Sequence, residues 1–190
     1  MNASDVTPIS AARARKQAAN DLTLDALAAM TVDELGARYA RGTVPDSLAV
    51  LDGSPTGRML AVAGTGTGVV AGALRRFASA RAFPWGGKSF AASTDERGRG
   101  INRVHLGGRH LLFPFETDFA PSRIDDQPAI RLDYDLDDNP GLIRHIHDEI
   151  REVTPGLFLG PAMWRHGAEV TFVLWFALDT RVQATPVRWG

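Results

Sequence analysis

The sequence lacks three features that would narrow its function at once. It contains no cysteine, which excludes disulfide bonds, thiol chemistry and thiolate metal sites. No stretch reaches the roughly 18 consecutive apolar residues of a membrane-spanning helix. The formal net charge at pH 7 is −1, so the chain has no strong attraction to nucleic acid or to an anionic membrane. We therefore expect neither nucleic acid nor a membrane as a partner.

The remaining composition is that of a globular protein. The 190 residues are 44% hydrophobic and 23% charged, which is enough for one domain with a substantial core. Residues 1–21 have scattered arginines but no apolar segment of the kind found in secretory signals. With the absence of cysteine and a bias toward Ala, Arg and Gly typical of bacterial sequences, this predicts a cytoplasmic protein.

Residues 1–42 are predicted to form an N-terminal helical arm. Apolar residues recur at helical spacing from Leu22 to Met30. Thr31 and Glu34 have the spacing of a capping box, in which each side chain binds the backbone N–H group of the other residue. Gly42 is placed to end the second helix. Two short helices should therefore precede the rest of the chain.

Residues 43–190 predict a barrel-like domain, so that the fold class is α+β and mainly antiparallel β. Short segments of alternating character follow one another, and residues 129–136 alternate most clearly, with Ile130 and Leu132 on one face. Helices are predicted near 69–81, from the spacing of apolar residues, and over 140–153, where Pro140 suits the first helical position.

The last predicted strand, residues 170–178, is apolar on both faces. The two sets are Phe172, Leu174 and Phe176 on one face and Val173, Trp175 and Ala177 on the other. A half-exposed strand would alternate with polar residues. One face should therefore line the barrel interior, while the other should be covered by the N-terminal helices or by a second copy in a homodimer.

The order of these elements resembles that of calycin and lipocalin-like barrels. Helices come first, followed by consecutive short strands, a late helix and a closing hairpin. The segments 85–88, 113–117 and 155–160 look like characteristic motifs of a family. The chain departs from secreted lipocalins in lacking cysteines and an early Gly-x-Trp motif. The resemblance implies a ligand-binding barrel. We expect the ligand to be a small hydrophobic or aromatic molecule and predict no cofactor.

Aromatic side chains give the predicted barrel a lining suited to such a ligand. A barrel of about eight strands has an interior that is either filled by side chains or holds one small molecule. The residues predicted to bind the ligand are Trp85, Phe113, Phe115, Phe172, Leu174 and Phe176.

The alternative is a cofactor-independent barrel enzyme of the isomerase, cyclase or lyase type, which moves protons on its substrate. The candidate acids and bases are His145, Glu149, Tyr134 and Glu116. His145 and Glu149 would share one face of the predicted helix over 140–153, since they are four residues apart. The same residues fit a solvated helix face, which is the commoner arrangement.

Two further motifs have a weaker functional interpretation. The glycines at 64, 66 and 68 follow a predicted strand, but their spacing is not G-x-G-x-x-G, which favours a flexible loop over a nucleotide site. His105 and His110 flank Gly107-Gly108, and a tight hairpin would place them side by side. Such a pair suits a metal or heme, although no third ligand is identifiable. We therefore predict no metal site.

Overall fold

The computed structural model describes residues 22–62, 85–105 and 107–185. Eight antiparallel strands pair in sequence order, and the first pairs with the last to close a barrel. The strands are β1 (Pro55–Val62), β2 (Trp85–Ala92), β3 (Arg97–Val104), β4 (His110–Pro121), β5 (Pro128–Asp133), β6 (Ile146–Thr154), β7 (Leu157–His166) and β8 (Glu169–Gln183). The predicted fold class is confirmed. The helix predicted near 69–81 and the glycines at 64–68 lie outside the described residues.

Two short helices precede the barrel, α1 (Leu24–Ala28) and α2 (Val32–Tyr39). The predicted capping box is present at the start of α2: the Thr31 backbone N–H donates to Glu34 Oε2 at 2.8 Å, and the Glu34 N–H donates to Thr31 Oγ1 at 3.3 Å. Leu27, Leu35 and Tyr39 bury the inner sides of both helices against the barrel wall. No helix among the described residues combines the length and apolarity that a membrane crossing requires.

The helix predicted over residues 140–153 is wrong. A single turn of 3-10 helix, Ile143–His145, leads directly into strand β6. The strand alternates strictly, with Ile146, Asp148 and Ile150 facing inward and His147, Glu149 and Arg151 facing outward. Because Asp148 is polar but faces inward, polar and apolar residues do not alternate along this segment of the sequence. Backbone pairing with β5 and β7 outweighs the local helical pattern.

Strand β8 is covered on both faces, as predicted. Leu174, Phe176 and Leu178 belong to the core inside the barrel, whereas Trp175 and Ala177 pack outside with the residues of α1 and α2. Helices of the same chain therefore cover this outer face. The prediction that Phe172 shares the inner face is wrong: a bulge at Val173 shifts the pairing with β7, and Phe172 packs outside against Trp175.

The two ends of the barrel are built differently. At one end another turn of 3-10 helix, Leu48–Leu51, closes the barrel as a plug. Its Leu48 and Leu51 side chains enter the interior core beside Phe90 and Leu178. The other end, where β2, β4, β6 and β8 begin, contains the polar interior residues and a cavity. The plugged end supplies the packed core, so the opposite end is the candidate for function.

Candidate ligand-binding site

A cavity of about 110 Å³ lies inside the barrel at the end opposite the plug. Its walls are mostly apolar and come from almost every strand. They comprise Met59, Trp85, Val104, Phe113, Ile143, Ile146, Ala162, Met163, Trp164, Val173, Leu174 and Phe176, together with the polar residues Lys88, Asn102, Tyr134 and Asp148. A volume of this order suits a small organic molecule, since an engineered apolar cavity of about 150 Å³ holds benzene.

The residues predicted to bind a ligand divide into two groups. Trp85, Phe113, Leu174 and Phe176 line the cavity. Phe115 lies deeper, in the interior core between Phe90 and Tyr134, and Phe172 lies outside the barrel. The structure thus brings four of the six side chains together around one space.

Lys88 is the centre of the polar group on the cavity wall. It lies on β2 and is 3% exposed, and its Nζ donates to Asn102 Oδ1 at 2.9 Å, to Asp148 Oδ2 at 2.9 Å and to the Tyr134 hydroxyl. An ammonium has three donors, and here each has an acceptor. Burial lowers the pKa of Lys88 from its ordinary value, while the Asp148 carboxylate opposes that shift.

Aromatic rings enclose the same ammonium. The Nζ atom lies 5.1–5.5 Å from the ring centroids of Trp85, Phe115, Tyr134 and Phe176. The negative face of an aromatic ring attracts a cation at this range. The site therefore holds a positive charge in an apolar space, balanced by one carboxylate and four ring faces.

Tyr134 and Asn102 complete the hydrogen bonding around Lys88. The Tyr134 hydroxyl donates to Asp148 Oδ2 at 3.1 Å and accepts from Asn102 Nδ2 at 3.1 Å. Burial, followed by the charge of Asp148, raises the pKa of Tyr134 well above its ordinary value, so the phenol keeps its proton. Trp85 Nε1 donates to Asn102 Oδ1 at 3.0 Å, which links the cavity wall to the network.

Asp148 is the member of this network with unused bonding capacity. Its Oδ2 accepts from Lys88 and Tyr134, but its Oδ1 is buried and has no hydrogen-bond partner in the part of the chain that the structure describes. A buried carboxylate oxygen without a donor is unfavourable in a folded protein. A donor group that reached this oxygen would satisfy it.

Phe113 has an unusual backbone conformation beside the cavity. Its φ is 60°, in the left-handed region that aromatic residues rarely adopt, and the pairing of β3 with β4 shifts at this residue. The bulge directs the Phe113 ring into the cavity, and its carbonyl accepts from Asn102 Nδ2 at 3.2 Å. Strain of this kind persists where surrounding contacts fix it, and it is common at binding sites.

Of the four residues predicted to act as acids and bases, Tyr134 lines the cavity and the other three do not. His145 is exposed in the 3-10 turn before β6, where its ring stacks on Trp164 with centroids 5.1 Å apart. Glu116 is exposed on β4, opposite Asp133 of β5. The shared helix face predicted for His145 and Glu149 does not exist, because the helix does not form.

Glu149 is buried on the outside of the barrel beneath α2. Its carboxylate accepts from the Tyr39 hydroxyl at 2.9 Å, from the Arg123 backbone N–H at 2.7 Å and from His147 Nε2 at 2.9 Å. Burial alone would raise the pKa of Glu149, but hydrogen bonds, first that of His147, lower it overall. The contacts of Glu149 fasten α2 to β6 and do not reach the cavity.

His105 and His110 do not form the predicted cross-strand pair. His110 lies opposite Val104, and His105 follows the end of β3 beside Gly86. In the part of the chain that the structure describes, no group of three or more His, Asp or Glu side chains is placed to hold a metal ion.

The sequence interpretation missed Lys88, Asn102 and Asp148 as site residues. Asp148 falls within residues 140–153, for which the pattern predicts a helix, and Asn102 has no distinguishing pattern. Lys88 does have one: the chain contains 21 lysines and arginines, of which only Lys16 and Lys88 are lysines. A rare residue type within the otherwise uncharged segment Trp85–Ala92 was the signal available.

Comparisons with known proteins add little to this geometry. No family model matches the chain, and no curated protein matches it significantly. Among solved structures, a protein from Thermomonospora curvata is similar, with 17% sequence identity and a TM-score of 0.47. The match covers 79% of this chain and 87% of that chain.

Proposed function

We propose that the protein binds a small, mostly apolar molecule inside the barrel, with one hydrogen-bonding group of that molecule directed at Lys88 and Asp148. The observation that carries this proposal is the cavity itself, whose apolar walls converge on a single buried polar group. Such a combination is typical of small-molecule sites, where apolar surface supplies affinity and a few polar atoms fix orientation. The barrel architecture, like that of calycins, suits this function.

Two details support a ligand with a polar end. Asp148 lines the cavity and its buried Oδ1 lacks a partner among the described residues, and the Phe113 backbone is held in a strained conformation that places its ring beside the same space. A purely structural core would be filled by apolar side chains, since an ion pair taken out of water is costly. A polar group on the ligand would add hydrogen bonds to this network.

The alternative function, a proton-transfer enzyme built on His145, Glu149, Tyr134 and Glu116, has less support. Three of these four residues lie away from the cavity: His145 in the exposed turn before β6, and Glu149 and Glu116 on the outer surface of the barrel. Binding is therefore the better proposal. A cytoplasmic location remains part of the same proposal, as does the small molecule as the main partner.

The proposal is tested by filling the cavity. The probe is benzyl alcohol, a small aromatic molecule with one hydroxyl group. Ala162 lines the cavity, so the larger side chain of the variant Ala162→Leu should occupy ligand space. Binding of benzyl alcohol should weaken by about tenfold or more. Binding is measured by intrinsic fluorescence, because Trp85 and Trp164 also line the cavity.

The matched control is Ala168→Leu, which makes the same change at an exposed turn residue between β7 and β8. It should bind benzyl alcohol as the unmodified protein does. Equal affinities of the unmodified protein and Ala162→Leu, or no saturable binding by either, would contradict a ligand site in this cavity.

A further inference from the structure

The choice of lysine at position 88 is unusual for this chain. Where the described structure buries other cations it uses arginine: Arg103 and Arg151 are both among its largest fully buried side chains. Arg151 forms a two-point ion pair with Asp125, at 2.6 and 2.8 Å, and donates to backbone carbonyls. Arginine suits such structural ion pairs because it is always charged and binds a carboxylate through two N–H groups.

Lysine offers something that arginine does not. Its amine loses a proton when burial lowers its pKa, and the neutral amine is a nucleophile. Lys88 is buried, its pKa is lowered by burial, and its Nζ lies 2.9 Å from a carboxylate oxygen that is placed to take the proton. Its aromatic neighbours, Trp85 and Phe176, also line the ligand cavity.

We infer that Lys88 captures the ligand covalently, as an imine between its Nζ and the carbonyl carbon of a small aldehyde or ketone bound in the cavity. This inference rests on the proposed ligand-binding function and names the chemical class of the ligand. It assigns Asp148 as the group that exchanges protons with Lys88, and Tyr134 and Asn102 as the residues that position both.

The reaction balances with the groups present. The Lys88 ammonium passes a proton to Asp148, and the freed electron pair forms a C–N bond to the carbonyl carbon while the C=O π electrons move to oxygen. A second proton moves from nitrogen to that oxygen, giving a neutral carbinolamine. Asp148 then returns its proton to the hydroxyl group, which leaves as water while the C=N bond forms. One positive charge enters and one remains, on the iminium nitrogen.

The environment of Lys88 suits both the starting ammonium and the iminium product of this reaction. Since the iminium carries the same charge as the ammonium, it keeps the Asp148 carboxylate and the surrounding ring faces as partners. Asp148 Oδ1 has no hydrogen-bond partner among the described residues, and in this reaction it accepts from the carbinolamine hydroxyl. Lys88 is only 3% exposed, which limits the access of water to its Nζ and so slows hydrolysis of the imine.

The test uses the full-length protein with benzaldehyde, and cyanoborohydride to reduce any imine to a stable benzylamine. Peptide mass mapping then compares Lys88 with Lys16, the other lysine in the chain. We expect the ratio of labelling at Lys88 to labelling at Lys16 to be at least about tenfold higher in the native protein than in urea. The reason is that a carbonyl held beside the amine reacts at a raised effective concentration.

Two controls locate the reaction. Benzyl alcohol, which has the same ring but no carbonyl group, should compete and reduce labelling at Lys88 alone. Ala162→Leu, which fills the cavity, should reduce it in the same way, whereas Ala168→Leu should not. The native-to-urea comparison needs no variant at Lys88, so the result does not depend on whether such a variant folds.

The outcomes separate the two proposals. Native labelling at Lys88 that is absent, or no greater relative to Lys16 than in urea, overturns the imine. If benzyl alcohol still binds saturably and Ala162→Leu weakens it, the ligand-binding function stands without the imine. If neither benzaldehyde nor benzyl alcohol binds, both proposals are wrong.

Discussion

At the residue scale, the ion pair between Lys88 and Asp148 is almost completely buried. Their side chains are 3% and 5% exposed, and the Nζ and Oδ2 atoms are 2.9 Å apart. Taking two charges out of water is costly, and their attraction offsets that cost only while both are present. The same pair is thus a weak source of stability and a sensitive point for substitution.

Removing one partner should therefore be far more damaging than removing both. We expect Asp148→Ala to lower the free energy of unfolding by about 3–5 kcal/mol, because it leaves a buried ammonium without its carboxylate. The double variant Lys88→Met, Asp148→Leu should recover most of that loss. Urea unfolding measures both effects.

A surface pair provides the comparison. Arg131 and Asp118 are joined at 2.6 Å, but their side chains are 38% and 26% exposed. Asp118→Ala should lower the free energy of unfolding by no more than about 1 kcal/mol, since solvent screens such pairs.

A double variant at the cavity that remained as unstable as Asp148→Ala would show that the loss comes from packing and not from an unpaired charge.

At the element scale, the outward face of β6 attaches α2 to the barrel. Glu149 accepts hydrogen bonds from Tyr39 of α2, from His147 of the same strand and from the Arg123 backbone. Arg151, two residues further on, lies 4.3 Å from the centre of the Tyr39 ring. One helix is therefore held on its strand by polar contacts that are almost entirely buried.

These contacts make the attachment depend on pH. The pKa of Glu149 is lower in the folded protein than its ordinary value of 4.5, so the ionised form stabilises the fold. That contribution is fully present above pH 4.5 and is lost as the pH falls through the lowered pKa. The isosteric Glu149→Gln should remove it, lowering the free energy of unfolding near neutrality by about 1–3 kcal/mol.

The measurement is urea unfolding at several pH values from neutrality down into the acid range. The unmodified protein should lose stability more steeply than Glu149→Gln as the pH falls. Parallel curves would mean that the Glu149 carboxylate does not contribute through its charge. Benzyl alcohol affinity serves as the control, because Glu149 lies on the opposite side of the barrel wall from the cavity.

At the scale of the whole molecule, the barrel separates stability from binding along its axis. The plugged end is packed with Leu48, Leu51 and the aromatic residues around Phe90, whereas the other end contains the cavity and its polar group. Closed packing at one end fixes the strands, which allows the other end to hold an incompletely filled space without collapse.

Substitutions at the two ends should therefore affect different properties: the free energy of unfolding at the packed end and the ligand affinity at the cavity end. Leu51 is 1% exposed, and Leu51→Ala should lower the free energy of unfolding by about 2–5 kcal/mol through the cavity that it creates. Its affinity for benzyl alcohol should stay within about twofold of that of the unmodified protein, in contrast to Ala162→Leu. A parallel loss of affinity and stability in Leu51→Ala would show that the two ends are coupled.

Features that depend on local patterns could be predicted correctly from the amino-acid sequence. Thr31 and Glu34 formed the predicted capping box, because capping needs only neighbouring residues. The two apolar faces of β8 predicted a strand covered on both sides, since the side-chain period of a strand is read directly from its residues. The antiparallel barrel class followed from the succession of short strands.

Features that depend on partners distant in sequence could not be predicted from local patterns, because they arise only in the folded barrel. β6 is a strand because its pairing with β5 and β7 outweighs a local helical pattern. As a result, Asp148 faces inward and Glu149 faces outward. Closure of the barrel then brought Asp148 of β6 within hydrogen-bonding distance of Lys88 of β2, 60 residues away along the chain. Local propensity contains no information on such a contact, because it exists only once the strands between the two residues are paired.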